Sequence, residues 1–305
     1  MTEGDLTVVA LGGNALLRPG ERGTAAEQRA NLAVTLEAIA PLLREGRVVL
    51  THGNGPQVGN ELLRQELASA EAPPLPLYLA VARTQAEIGT LMASEVERVV
   101  GLEGVVILTR VVVDPQDPAF AAPTKPVGPF YDAARADLLA GERGWTLRED
   151  SGRGWRRVVA SPRPLEILEL ERIRALVATG AVAVACGGGG IPVVRREGRV
   201  DGVDAVIDKD LASALLATGL GAARLLILTQ VSAVERGFGT PRAERIAELR
   251  PGRDDALLDE LPAGSMRPKV EAVLEFVRAT GGEARITSAD AVQKGEAGTR
   301  VVPAS

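Results

Sequence analysis

The feature that most limits the fold of this chain is a regular alternation of short apolar runs with longer amphipathic stretches. The runs are TVVAL (7–11), RVVLT (47–51), VVILT (105–109), AVAVA (181–185), RLLILT (224–229) and EARIT (283–287). Each reads as a strand buried on both faces. Between them, Ala26–Arg44, Ala80–Val99, Pro164–Ala178, Leu211–Thr218 and Lys269–Ala279 carry apolar residues at helical spacing. Such alternation predicts an α/β fold, a three-layer αβα sandwich around a mainly parallel central sheet. Aromatic residues make up only 3% of the chain, so Val, Leu, Ile and Ala must fill the core. A length of 305 residues fits two lobes or one large α/β domain.

Val111 to Ser161 breaks the rhythm. Pro, Gly and both Trp residues gather there, in DPQDPAFAAPTKPVGPFY and GERGWTLREDSGRGWRRVVASP. This reads as an excursion from the sheet with a small hairpin around Trp145 to Val159, and long excursions in compact domains usually serve binding. A second hairpin is expected from Ile191 to Val200, turning at Glu197-Gly198.

A net charge of −5, with Arg interleaved among Glu as in EILELERIR, argues against a nucleic-acid partner. Cys186 is the one cysteine, which excludes an internal disulfide and suits a reducing compartment. It reads as a small core residue at a strand end. The opening MTEGDLTVVALGG does not resemble a signal peptide, and no run of about 18 apolar residues is present to span a bilayer. These features together predict a soluble, cytoplasmic protein without a membrane partner.

Three strands run into glycine: Gly12-Gly13-Asn14 after the first, Gly53-Asn54-Gly55 after the second, and Gly187 to Gly190 after AVAVA. Glycine turns at strand ends let backbone N–H groups approach an anion. No Gly-Lys dipeptide exists for a P-loop, and Val58 stands where G-x-G-x-x-G needs its third glycine. A single histidine, His52, cannot build a metal cluster, so no protein metal site is expected; His52 reads as a hydrogen-bonded turn residue rather than a base.

The cations carry more information. Of 35 basic residues only four are lysine: Lys125, Lys209, Lys269 and Lys294. Lys209 and Lys269 open helices, the unfavourable end for a cation. Lys125 lies between Thr124 and Pro126 in the excursion. Compact charges at such posts suit the distributed charge of a transferring phosphoryl group. Asp210 is placed to orient Lys209 or Lys269 or to help hold Mg²⁺, and Asp208 reads either as an ordinary first-turn acid or as part of that site.

The stretches VVALGGNAL, THGNGPQVGNE, TKPVGPFY, WRRVVASPRP, CGGGGIPV, GVDAVIDKDLASALLA, LLILT, AGSMRPKVEA and GEAGTRV resemble, in order, the carbamate kinases of the amino acid kinase superfamily. The resemblance implies reversible phosphoryl transfer between ATP and carbamate, giving ADP and carbamoyl phosphate. It implies Mg²⁺, a homodimer, and a subdomain protruding at about 125–160. It divides the chain into a carbamate lobe (1–180) and a nucleotide lobe (181–305). Lys125, Lys209 and Lys269, with Asp210, would be catalytic. Gly12, Gly13, Asn14, Gly53, Asn54 and Gly55 would hold the small substrate and phosphate. Gly187, Gly188, Asp208, Thr229 and Met266, with Lys209 and Lys269, would hold the nucleotide. Ala10 stands where acetylglutamate kinases resemble K-x-G-G, so Lys125 would supply that cation. Gln230 replaces the family's usual acid, and Arg267 its usual glycine. The alternatives are a kinase of this fold acting on another small carboxylate or phosphonate, and a nucleotide-binding regulator without turnover.

Overall fold

The structure, a computed structural model, describes residues 5–18, 20–149, 154–262 and 264–304, and the side chain of Asn14 lies outside the described part. In chain order the first half runs β1 (Leu6–Leu11), α1 (Ala25–Glu45), β2 (Arg47–His52), α2 (Gly55–Leu67), α3 (Leu77–Glu95), β3 (Gly104–Val106), β4 (Arg110–Val113), α4 (Pro118–Ala121), β5 (Lys125–Tyr131), α5 (Ala133–Arg143), β6 (Leu147–Glu149) and β7 (Trp155–Val159). The rest runs β8 (Pro164–Ile167), α6 (Leu170–Val177), β9 (Val182–Val184), β10 (Ile191–Arg196), β11 (Arg199–Gly202), α7 (Lys209–Leu220), β12 (Arg224–Leu228), β13 (Glu235–Arg236), β14 (Glu244–Arg245), β15 (Glu248–Leu249), α8 (Met266–Thr280), β16 (Glu283–Thr287), α9 (Ala289–Gln293) and β17 (Thr299–Val301).

Among the described residues, eight strands form one sheet in the order β15-β17-β16-β12-β1-β2-β9-β3. Its neighbours pair in parallel except β16 with β17. Alternation along β1 shows why three layers form. Val8 and Ala10 enter a core shared with α6, α7 and α8. Val9 and Leu11 enter another, shared with α1 and α3. A strand apolar on both faces must be covered on both. β9 lies between β2 and β3, so one sheet runs through both halves of the chain. Among the described residues, no helix is long and apolar enough to cross a membrane.

The excursion is a three-stranded sheet, β5-β7-β6, with α5 laid against it. Its β6–β7 pairing, Leu147 opposite Arg157, is the expected hairpin, whose turn lies outside the described residues. The second hairpin is β10–β11, turning at Glu197 and Gly198, both with positive φ (48° and 78°). Such a two-residue turn matches the twist of the strands it joins.

Two expectations need correction. Pro164–Ile167 is not the start of a helix but a strand, pairing antiparallel with β4, and the helix begins only at Leu170. Pro lacks an N–H to donate, yet an edge strand at its first residue tolerates it. VVILT leaves the main sheet after Val106, and the chain then enters β4 of a second sheet, β11-β10-β4-β8. Conversely, α2 grows directly out of the Gly53-Asn54-Gly55 turn, where Pro56 suits a first helical turn.

Candidate active site

The start of α7 organises the site. Asp208 caps the helix from extended backbone, and its Oδ1 accepts from the N–H of Asp210 at 2.9 Å. This makes Lys209 the first helical residue, its charge set against the positive end of the helix dipole. What holds it there is Asp210: Lys209 Nζ donates to Asp210 Oδ1, and Lys269 Nζ, from the first turn of α8, donates to Oδ2 at 2.9 Å. Lys125, the first residue of β5, donates from Nζ to Asp208 Oδ2 at 2.8 Å. Three ammonium groups from three separate elements thus meet two carboxylates and leave one net positive charge.

Burial sharpens the electrostatics. The side chains of Lys209 and Asp210 are only 12% and 3% exposed. Burial alone would raise the carboxyl of Asp210, but the charges and hydrogen bonds of Lys209 and Lys269 reverse this and bring it down to about 2. Burial pulls the ammonium of Lys209 below its ordinary value, and the charge of Lys269 adds to this while Asp210 opposes it. Lys294 is exposed at the end of α9 and takes no part.

The glycine turns come next to these charges. Gly12 donates its N–H to Leu228 O at 2.9 Å, and a Cβ on it would stand only 2.8 Å from that oxygen, so the approach of β1 to β12 requires glycine. Gly13 opens onto free space at the start of a short turn that includes the backbone of Asn14. At the end of β2, the Cα of Gly53 faces the side chain of Lys209, where a Cβ would lie 3.4 Å from Cδ. Asn54 is buried and donates from Nδ2 to Thr84 Oγ1 at 3.0 Å, and Gly55 is exposed at the start of α2.

Gly187 and Gly188 lie behind this second turn. A Cβ on Gly187 would come within 2.3 Å of His52 Nε2, and one on Gly188 within 2.1 Å of Asn54 Nδ2. Their nearest neighbours are therefore His52 and Asn54 at the end of β2, whereas Thr229 and Met266, with which the resemblance groups them, line a cleft that these two glycines do not. Gln85, which that reading missed, ties them down: its Nε2 donates to Gly187 O at 2.9 Å and its Oε1 accepts from Thr109 N at 2.6 Å. No local sequence signal marks it, since a Gln on an amphipathic helix reads as surface.

His52 is fully buried, and its Nδ1 lies 3.0 Å from Gly53 O. A carbonyl only accepts, so Nδ1 carries the proton and Nε2 is a bare acceptor, without a partner among the described residues. Burial pulls the imidazole down to about 4, against the Gly53 hydrogen bond and with help from Lys209. It is neutral near pH 7 and fully buried; it is hydrogen-bonded as expected, but as the last residue of β2 rather than in a turn. Cys186 is also fully buried, which pushes its thiol well above the ordinary range.

A cleft of about 710 Å³ lies beside Lys209 and Lys269, and Lys125 is not among its lining residues. Gly12, Gly13, Lys209, Thr229, Met266 and Lys269 line it, so it joins residues expected to hold substrate with residues expected to hold nucleotide. Its lining also includes the apolar residues Val231, Leu261, Pro262 and the exposed Phe238. Of the two departures, Gln230 lines the cleft. Arg267 is not among the lining residues, and its guanidinium lies 3.6 Å from Asp259. Among the described residues no group of three or more His, Cys, Asp or Glu is arranged to hold a metal.

Known proteins place this architecture. The profile of the amino acid kinase family matches residues 5–288. A carbamate kinase of Trichomonas vaginalis is 43% identical over 97% of this chain and 99% of its own length. One from Halobacterium salinarum is 45% identical over 98% of each chain. The solved carbamate kinase of Giardia lamblia bound to AMP-PNP superposes with a TM-score of 0.91 at 41% identity, over the whole of both chains. With a profile match over most of its length and full-length relatives above 40% identity, the chain belongs to the amino acid kinase family, on its carbamate kinase branch.

Proposed function

We propose that this enzyme transfers a phosphoryl group reversibly between ATP and carbamate. The observation that carries the reading is the meeting of Lys125, Lys209 and Lys269 on the Asp208–Asp210 pair beside a nucleotide-sized cleft. Carbamate is already an anionic nucleophile with no proton to lose. Its oxygen forms the new P–O bond as the bond to ADP breaks, in line and without a phosphoenzyme. A neutral, buried His52 is consistent with chemistry that needs no general base. The lysines neutralise charge as it moves across the phosphoryl oxygens, and Asp210 holds two of them in place. Backbone N–H groups of the glycine turns and the start of α7 add fixed partial charges.

Residues 1–180 supply the carbamate side, through Gly12, Gly13, Asn14, Gly53, Asn54, Gly55 and Lys125. Residues 181–305 supply the nucleotide side, through Asp208, Thr229, Met266 and Lys269, with apolar lining residues such as Val231 and Phe238 taking the base. Gly187 and Gly188 act at one remove, by fixing His52 and Asn54. Mg²⁺ fits this site as a companion of the nucleotide. Each carboxylate already engages a lysine, so the protein would contribute no more than Asp208 and Asp210 to an ion held chiefly by phosphates and water. When bound it neutralises phosphate charge. We also assign the protein to the cytoplasm as a homodimer, which light scattering tests.

The deciding experiment is ATP formation from ADP and carbamoyl phosphate in a coupled assay. Robust turnover with carbamoyl phosphate, and little with acetyl phosphate, supports the reading; nucleotide binding by calorimetry without turnover overturns it.

A further inference from the structure

Lys125 and Lys269 sit on different bodies, the three-stranded sheet and α8. Something must set the distance between them. The root of the excursion shows what does so. The outgoing chain reaches Arg163 just after β7, and its N–H donates to Asp117 Oδ2 at 2.9 Å. The other oxygen of Asp117 caps α4, accepting from Ala119 N at 2.8 Å, and α4 leads directly into Lys125. One carboxylate therefore staples the incoming chain to the outgoing chain. The guanidinium of Arg163 then crosses to α8, donating from Nη1 to Glu271 and from Nη2 to Glu275, both at 2.5 Å. Glu271 and Glu275 stand one turn apart on α8, two and six residues beyond Lys269.

We propose that Arg163 is a positioning residue for the transfer reaction, fastening the root of the 125–160 subdomain to α8 so that Lys125 and Lys269 are held in register. This rests on the kinase reading above. Arg163 is half exposed and touches no reacting atom. As an exposed group it contributes little to global stability. Its planar fork nevertheless engages two carboxylates at once, which an ammonium cannot reproduce. A misplacement of about 1 Å near a reacting centre can cost as much as about a hundredfold in rate. The clamp therefore acts on rate, not on folding.

The test is a double-mutant cycle in the ADP and carbamoyl phosphate assay. Arg163→Ala is expected to lower kcat about tenfold, a partial misplacement, with KM for ADP and the melting temperature nearly unchanged. Arg163→Lys recovers part of the loss. In a Lys125→Ala background, Arg163→Ala has no further effect, because the lysine it positions is gone. Hydrogen exchange of the 124–131 and 155–159 amides should quicken in Arg163→Ala. A kcat equal to wild type, an undiminished effect without Lys125, or unchanged exchange overturns the clamp. The exchange measurement needs no turnover, so it judges the clamp even if wild-type turnover fails and the kinase reading falls.

Discussion

Lys125 Nζ lies 2.8 Å from Asp208 Oδ2, joining the start of the three-stranded sheet to the cap of a helix 83 residues further along the chain. The same aspartate uses its other oxygen to cap α7. One side chain thus starts the helix that presents Lys209 and receives the lysine that reaches across. Lys125→Ala is expected to reduce kcat by about a hundredfold or more, as for loss of a group aimed at developing charge. Its side chain is a third exposed, so chemical denaturation should show little change in stability. A rate within a factor of a few of wild type would remove Lys125 from the site.

Asp210 stands between two lysines, and its removal leaves them facing each other in a buried setting. Asp210→Asn should lower stability by roughly 3 kcal/mol, the scale for one partner of a buried ion pair, and abolish most activity. Urea unfolding reads the first and the coupled assay the second. Because its folded-state carboxyl is depressed, its contribution is present above the ordinary carboxylate value of 3.8 and is lost as pH falls through about 2.

His52 gives a pH dependence in a higher window. Folding lowers its imidazole from 6.5 to about 4. Between these values the unfolded chain binds a proton that the folded chain refuses, so stability falls as pH drops. At about 1.4 kcal/mol per pH unit the loss reaches about 3 kcal/mol. His52→Gln should flatten that part of the curve, measured by urea unfolding from pH 7 to pH 4. An equally steep variant would assign the slope elsewhere.

Gly188 has φ of 65°, and a Cβ there would overlap the amide of Asn54. Gly188→Ala should destabilise by about 1–3 kcal/mol through backbone strain alone, more if Asn54 cannot move. It should raise KM for carbamoyl phosphate more than KM for ADP, because the displaced residue lies on the β2 turn.

Arg267 faces Asp259 and stands outside the lining of the cleft. Arg267→Gly should therefore change KM for ADP by no more than about fivefold, as expected of an exposed pair worth under about 1 kcal/mol. A larger change would show that the guanidinium swings into the nucleotide site.

Much of this was legible in the sequence because its signals are local. Apolar runs between amphipathic stretches give buried strands and covering helices, since each element must hide its apolar face. Gly198 marks a two-residue hairpin because its positive φ favours glycine, whereas the positive φ of Glu197 has no such local signal. Lysine at two helix starts points to an anion because the dipole penalises it otherwise. Tertiary structure decided the rest, because it depends on approach between distant segments. β8 is a strand only because β4 lies beside it to accept its pairing. Gly187 and Gly188 belong with His52 and Asn54 because the crossover brings β9 beside β2, more than 130 positions away in sequence. And Asp210 holds two lysines, rather than one, because α7 and α8 cover the same face of the sheet.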